Sequence, residues 1–197
     1  MKRAVLAVLL LGAVSCGDMT RQGTASSFLI INTLEGASGA TPGQFGGDFG
    51  SDVVTVVDDQ TGESTIFADL GRVTFSLGLK DPGPSGSPVT PSPNNSITVD
   101  RYRVRYLRSD GRNNPGVDVP YGFDGAFTVT VSDTASAGFT LVRSQAKLEP
   151  PLAGLATNLL VLSVIAEVTF YGHDQTGREV IATGRIGVHF GNWGDPE

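Results

Sequence analysis

The side chains best suited to chemistry in this chain are few and scattered. There are two histidines, His173 and His189, and one cysteine, Cys16. A zinc site built from His and Cys lacks its usual ligands, and no metal is expected. A serine nucleophile needs a strained elbow and a base within reach, yet Gly-x-Ser-x-Gly does not occur. His173 reads as a turn residue and His189 as lying on the outward side of a strand, positions that suit solvated imidazoles better than catalytic ones. Gly46-Gly47-Asp48-Phe49-Gly50 has neither the lysine nor the following helix of a phosphate-binding loop. Oxygen ligands are more plentiful. Asp48, Asp52, Asp58 and Asp59 lie near one hairpin, and Asp110, Asn113, Asn114 and Asp118 lie in one loop. Neither group has the spacing of a calcium loop, and turns use the same residues for their backbone tolerance. No cofactor and no enzymatic activity are expected.

The spacing with most chemical content is Arg101, Arg103 and Arg105. Within a strand, alternate side chains share a face, so these three cations form a stripe opposite Tyr102, Val104 and Tyr106. Such a stripe either pairs with carboxylates on a neighbouring strand or binds an anion, for example a phosphorylated or acidic glycan.

The start of the chain carries a different chemistry. Met1-Lys2-Arg3 is basic, Ala4 to Val14 is an unbroken apolar or glycine run, and small residues lead into Cys16. This is the layout of a secretory signal, too short to span a bilayer, which needs about 20 apolar residues. Ala13-Val14-Ser15-Cys16 resembles the lipobox of bacterial lipoproteins, with alanine where leucine is the commoner residue. The resemblance covers residues 1–16. It implies cleavage before Cys16, acylation of that cysteine by chains such as palmitate, and anchoring to a membrane by lipid. Two or more chains anchor stably where one does not. Gly17 after the cysteine favours the outer membrane, since an aspartate there directs inner-membrane retention in the enterobacterial version of the family's sorting rule. An ordinary export signal beside a coincidental cysteine is the alternative reading.

Composition narrows the partners. The net charge is −6, and loss of Lys2 and Arg3 with a signal at 1–15 makes it more negative still. That balance argues against nucleic acid or anionic headgroups as general partners. No cysteine follows Cys16, so packing alone must hold the domain. The remaining length suits one good core.

These residues must be positioned by strands. Residues 16–27 read as a flexible tether, reaching roughly 20 Å, and 28–197 as one domain. Strands are expected at 28–34, 52–57, 64–68, 72–80, 97–108, 126–131, 139–148, 159–171 and 179–190. The segment 159–171 is the expected centre, with Leu159 to Leu162 buried on both faces. A glycine-rich loop fills 35–51, and a proline-rich loop fills 81–95. Asp-Gln-Thr-Gly occurs twice, at 59–62 and at 174–177, as one turn solution used twice.

About nine strands without a long helix imply an all-β fold. The expectation is a single antiparallel β-sandwich of immunoglobulin- or fibronectin-III-like form, with a small closed barrel second. The expected role is a lipid-anchored, non-enzymatic envelope module, structural or assembly-related, with an envelope protein or glycan as partner. A carbohydrate-binding or adhesin-like module, using aromatics such as Tyr121, Phe123 or Trp193, is the alternative. A hydrolase has the least support.

Overall fold

The computed structural model describes residues 23–58 and 60–193. The signal segment and Cys16 lie outside them. Ten strands occur among the described residues: β1 (Ser27–Ala37), β2 (Asp48–Asp52), β3 (Thr55–Asp58), β4 (Glu63–Thr65), β5 (Asp69–Leu79), β6 (Ile97–Leu107), β7 (Phe123–Val131), β8 (Thr134–Val142), β9 (Leu162–Asp174) and β10 (Glu179–Gly191). They form a three-stranded sheet in the order β1-β5-β8, a five-stranded sheet in the order β2-β10-β9-β6-β7, and the small hairpin β3-β4. One helical turn, α1 (Ser144–Lys147), follows β8.

Period-two alternation builds the core. In β9, Leu162, Val164, Ala166, Val168 and Phe170 point inward, and each neighbour between them is more exposed. Burying an aliphatic or aromatic side chain of this size stabilises by about 1.5–3 kcal/mol. In β6 the inward parity changes from Ile97 and Val99 to Tyr102, Val104 and Tyr106 because the register shifts between Val99 and Arg101. One extra residue therefore lets both halves of the strand keep their apolar side in the core. The two larger sheets meet through aromatics. Phe75 of β5 stands edge-on to Phe170 of β9 at 5.0 Å, and Phe139 of β8 lies 5.0 Å from Tyr102 of β6. Gly71 sits beneath the Phe139 ring, where any Cβ would collide with it.

The strands give the domain two poles. Gly23 lies against the Glu179 carbonyl at the start of β10 and accepts a hydrogen bond from Lys80 Nζ at 2.7 Å. The end of β9 and the start of β6 lie at this near pole. The far pole holds the end of β10, the start of β9 and the loop after β6. Thirteen residues of β10 separate the poles by about 40 Å.

Several expectations change. The sheet is not purely antiparallel, because β2 runs parallel to β10 from Gly187↔Asp48 to Gly191↔Asp52. The glycine-rich stretch is not all loop, since residues 35–37 extend β1 and 48–52 form β2. The strand expected at 139–148 runs instead over 134–142, and α1 takes over after it. His173 lies in β9, opposite Glu179, rather than in a turn. The central strand is β9, flanked by β10 and β6, but Leu159, Leu160 and Val161 precede it and stand 96%, 68% and 49% exposed. An apolar run looks the same to a periodicity argument whether it is buried or displayed.

Candidate functional site

The arginine stripe lies on the outer face of the five-stranded sheet, and strand register surrounds it with specific neighbours. Arg101 faces Tyr171 and then Ile181; Arg103 faces Thr169 and then Thr183; Arg105 faces Glu167 and then Arg185. The result is a lattice of three residues by three on β6, β9 and β10. Its members are not equivalent. Arg103 makes a two-pronged pair with Asp124 of β7, at 2.6 and 2.9 Å. That pair holds the Asp124 carboxyl below the usual range, chiefly through the hydrogen bond from Arg103. Arg101 instead stacks on Tyr171, its guanidinium carbon 4.6 Å from the ring centre. Glu167 is claimed by Arg185 at 2.8 Å. Arg105, opposite the same carboxylate, has no ion pair among the described residues. Of the three arginines, one is paired with a carboxylate, one is stacked and one is free.

At the β2 edge of the same face lies a trio that sequence reasoning missed. Ser163 Oγ is 2.8 Å from His189 Nδ1, and His189 Nε2 is 2.8 Å from Asp48 Oδ1. Trp193 covers the edge, its indole N–H donating to the His189 carbonyl at 3.1 Å. The residue types are those of a hydrolytic triad, but the setting is not. Ser163 sits on a regular strand paired to β10, rather than on the sharp strand-to-helix turn that exposes a serine nucleophile. The trio instead ties the parallel strand β2 across β10 to β9. No sequence pattern joins residues 48, 163 and 189; only the register does. The second imidazole, His173, lies 3.3 Å from Asp100 at the other end of the face.

The expected oxygen-ligand groups are dispersed into turns and pairs. Asp48 serves His189, while Asp52 accepts from Thr55 Oγ1 at 2.6 Å and from the Trp193 amide. Asp59 lies outside the described residues. Asp110 is shared by Arg108 and Arg112, which hold its carboxyl far below the usual range, chiefly through the Arg108 hydrogen bond. Asn113 accepts from the Arg108 amide and Asp118 from Asn114. Among the described residues, no three His, Cys, Asp or Glu side chains come together as metal ligands.

The candidate aromatics do not converge. Phe123 packs edge-on to Tyr102 with Arg143 above it, whereas Tyr121 is exposed near the β7 edge. Trp193 lies at the β2 edge, four strand spacings away, or about 19 Å.

The far pole shows a sharp contrast between interior and surface. Inside, Lys147 Nζ lies 2.8 Å from Asp69 Oδ1, and both side chains are wholly buried. Lys147 also donates to the Asp52 carbonyl at 2.7 Å, and Asp69 accepts from Ser51 Oγ at 2.5 Å and the Gly39 amide at 2.9 Å. Burial pushes the Asp69 carboxyl up, and Lys147 is the strongest influence pulling it back. Outside, Leu159, Leu160 and Val161 are exposed, together with Val117, Leu148 and Trp193.

No helix among the described residues is long and apolar enough to cross a membrane. No protein-family model, curated protein or solved structure matches the chain.

Proposed function

We propose that the chain is a lipid-anchored, non-enzymatic envelope module whose domain is a β-sandwich of the immunoglobulin-like kind, serving to join a partner protein. The sandwich reading rests on two sheets facing each other across the Phe75, Phe139 and Phe170 cluster. The observation that carries the function is the polarity of the domain. Its chain enters at Gly23 beside Glu179, while the exposed Leu159-Leu160-Val161 segment lies at the other end of β10. A chain tethered through Cys16 to the outer membrane presents that apolar pole away from the membrane, toward the periplasm or the cell surface. Three consecutive exposed apolar residues, as at 159–161, supply the kind of surface that interaction sites use.

Two measurements test this reading. Cys16→Ala should abolish palmitate labelling and release the protein from membranes; unlabelled wild type would remove the anchor. A photo-crosslinking residue at position 160 should trap one discrete partner in native membranes, while the same residue at 128 should not. Equal capture at both positions would remove the assembly role.

A further inference from the structure

We propose a second, independent site: the outer face of β6, β9 and β10 binds an acidic polysaccharide, with Arg101 and Arg105 as its anion contacts and Tyr171 as its sugar platform. This goes beyond the assembly role and does not depend on the lipid anchor. Three observations carry it. First, the lattice holds more cations than its carboxylates neutralise. Asp124 takes Arg103 and also feels the nearby Arg101 charge, and Glu167 takes Arg185, which leaves Arg105 free and Arg101 stacked on Tyr171 without an ion pair. They are four strand residues apart, or about 13 Å, so they would meet separate charges on one extended polymer. This local excess stands on a chain whose net charge is −6, so it is not a by-product of a generally basic surface.

Second, the groups beside Arg101 and in the row between the two arginines are those that saccharides use. Tyr171 offers a ring already faced by a guanidinium, and Ile181 beside it is exposed. In the middle row, the Thr169 and Thr183 hydroxyls lie 3.2 Å apart, ready to exchange hydrogen bonds with sugar hydroxyls. Third, Arg103 is fixed by its two-pronged bond to Asp124. It therefore spaces Arg101 and Arg105 without competing for the ligand. A sheet face with hydroxyls in its middle row and one aromatic in the row of Arg101 suits a sugar chain better than a protein, whose interfaces bury an apolar core. The recognised group is an oxyanion on a sugar, either carboxylate or sulfate.

The test uses the full chain purified in detergent, with polygalacturonate as the carboxylate probe, heparin as the sulfate probe and neutral dextran as the control. Wild type should bind at least one polyanion at low salt, should ignore dextran, and should release at about 1 M salt. Which polyanion is held identifies the anion. Arg101→Gln/Arg105→Gln should weaken binding by at least about tenfold with an unchanged melting curve, whereas Arg103→Gln should change it by less than about threefold. Tyr171→Ala keeps every charge and should still weaken binding several-fold, so the site remains testable if the double variant folds poorly. Absence of binding to both polyanions at low salt would overturn the proposal, as would equal losses in Arg103→Gln and the double variant. Wild-type affinity in Tyr171→Ala, or binding only to anionic lipid vesicles, would do the same.

Discussion

Each pole of the domain is organised by an aspartate, and the two are satisfied in opposite ways. At the near pole, Asp174 accepts from the Thr176 amide at 2.8 Å, the Thr176 hydroxyl at 2.7 Å and the Arg178 amide at 3.0 Å. All three donors come from its own turn, closed by Gly177 at φ +81. At the far pole, Asp69 relies on Lys147, 78 residues later in the chain, and on Ser51 and Gly39. Their carboxyls respond accordingly. Asp174 is held below the ordinary range, first by the Thr176 hydroxyl, while burial pushes Asp69 up. The Asp174 turn is a local device, its three donors lying within four residues. The Asp69 cluster is assembled from distant segments, at the pole where Leu159, Leu160 and Val161 are exposed. That surface is the loop 158–161 leading into β9, beside the segments the Asp69 cluster ties together.

The largest effect should come from breaking what the two poles share. Val168 is fully buried in β9 between Val104 and Gly184. Val168→Asp places a charge there without a partner, which costs several kcal/mol, a large part of the total stability of such a domain. Chemical denaturation should show the variant unfolded or nearly so. A midpoint equal to wild type would mean that β9 is not the centre of the fold.

Lys147→Met sharpens the comparison, because it touches the far pole alone. It strands Asp69 in the interior with only Ser51 and Gly39 as donors, for a loss of about 3–5 kcal/mol. Hydrogen exchange should rise first in β2, β5 and α1, and least in the Asp174 turn. A loss below about 1 kcal/mol would show that the pair contributes little beyond its own desolvation.

The near-pole counterpart is Asp174→Ala, which removes an acceptor of three hydrogen bonds and should cost about 1–3 kcal/mol at neutral pH. Because the folded carboxyl is held low, its contribution is present above the ordinary aspartate pKa and is lost as pH falls through the lower folded value. The gap between wild type and variant should therefore close as pH drops below about 4. A gap that does not depend on pH would assign the effect to turn geometry rather than to the charge.

This contrast also explains what was legible in the chain. The Asp174 turn and the alternation in β5, β6, β9 and β10 are local, so residue types and spacing announce them. Strand β2 is not announced, because Asp48-Phe49-Gly50-Ser51-Asp52 has no β-branched residue; its pairing with β10 imposes the strand. The same division runs through the candidate sites. Alternation alone places Arg101, Arg103 and Arg105 on one face, but which of them is free depends on Asp124, Glu167 and Arg185, brought in by register. Likewise Ser163, His189 and Asp48 meet only because a parallel edge strand forms. The Lys147–Asp69 pair leaves no trace in either residue's neighbourhood.

The smallest expected effect on stability belongs to the far-pole surface, and for that reason it is the most informative. Leu160 is 68% exposed, so Leu160→Asp removes little buried apolar area and should shift stability by less than about 0.5 kcal/mol. Solvent already surrounds most of the side chain, and the new carboxylate needs no protein partner. Yet a charge in the middle of a docking surface is costly once a partner seals it from water. The variant should therefore melt like wild type and lose the partner trapped at the far pole. A marked drop in stability would mean that Leu160 supports the core beneath it, and that the contrast between a buried ion pair and a displayed apolar surface is drawn in the wrong place. Intact stability with intact capture would move the partner off this pole.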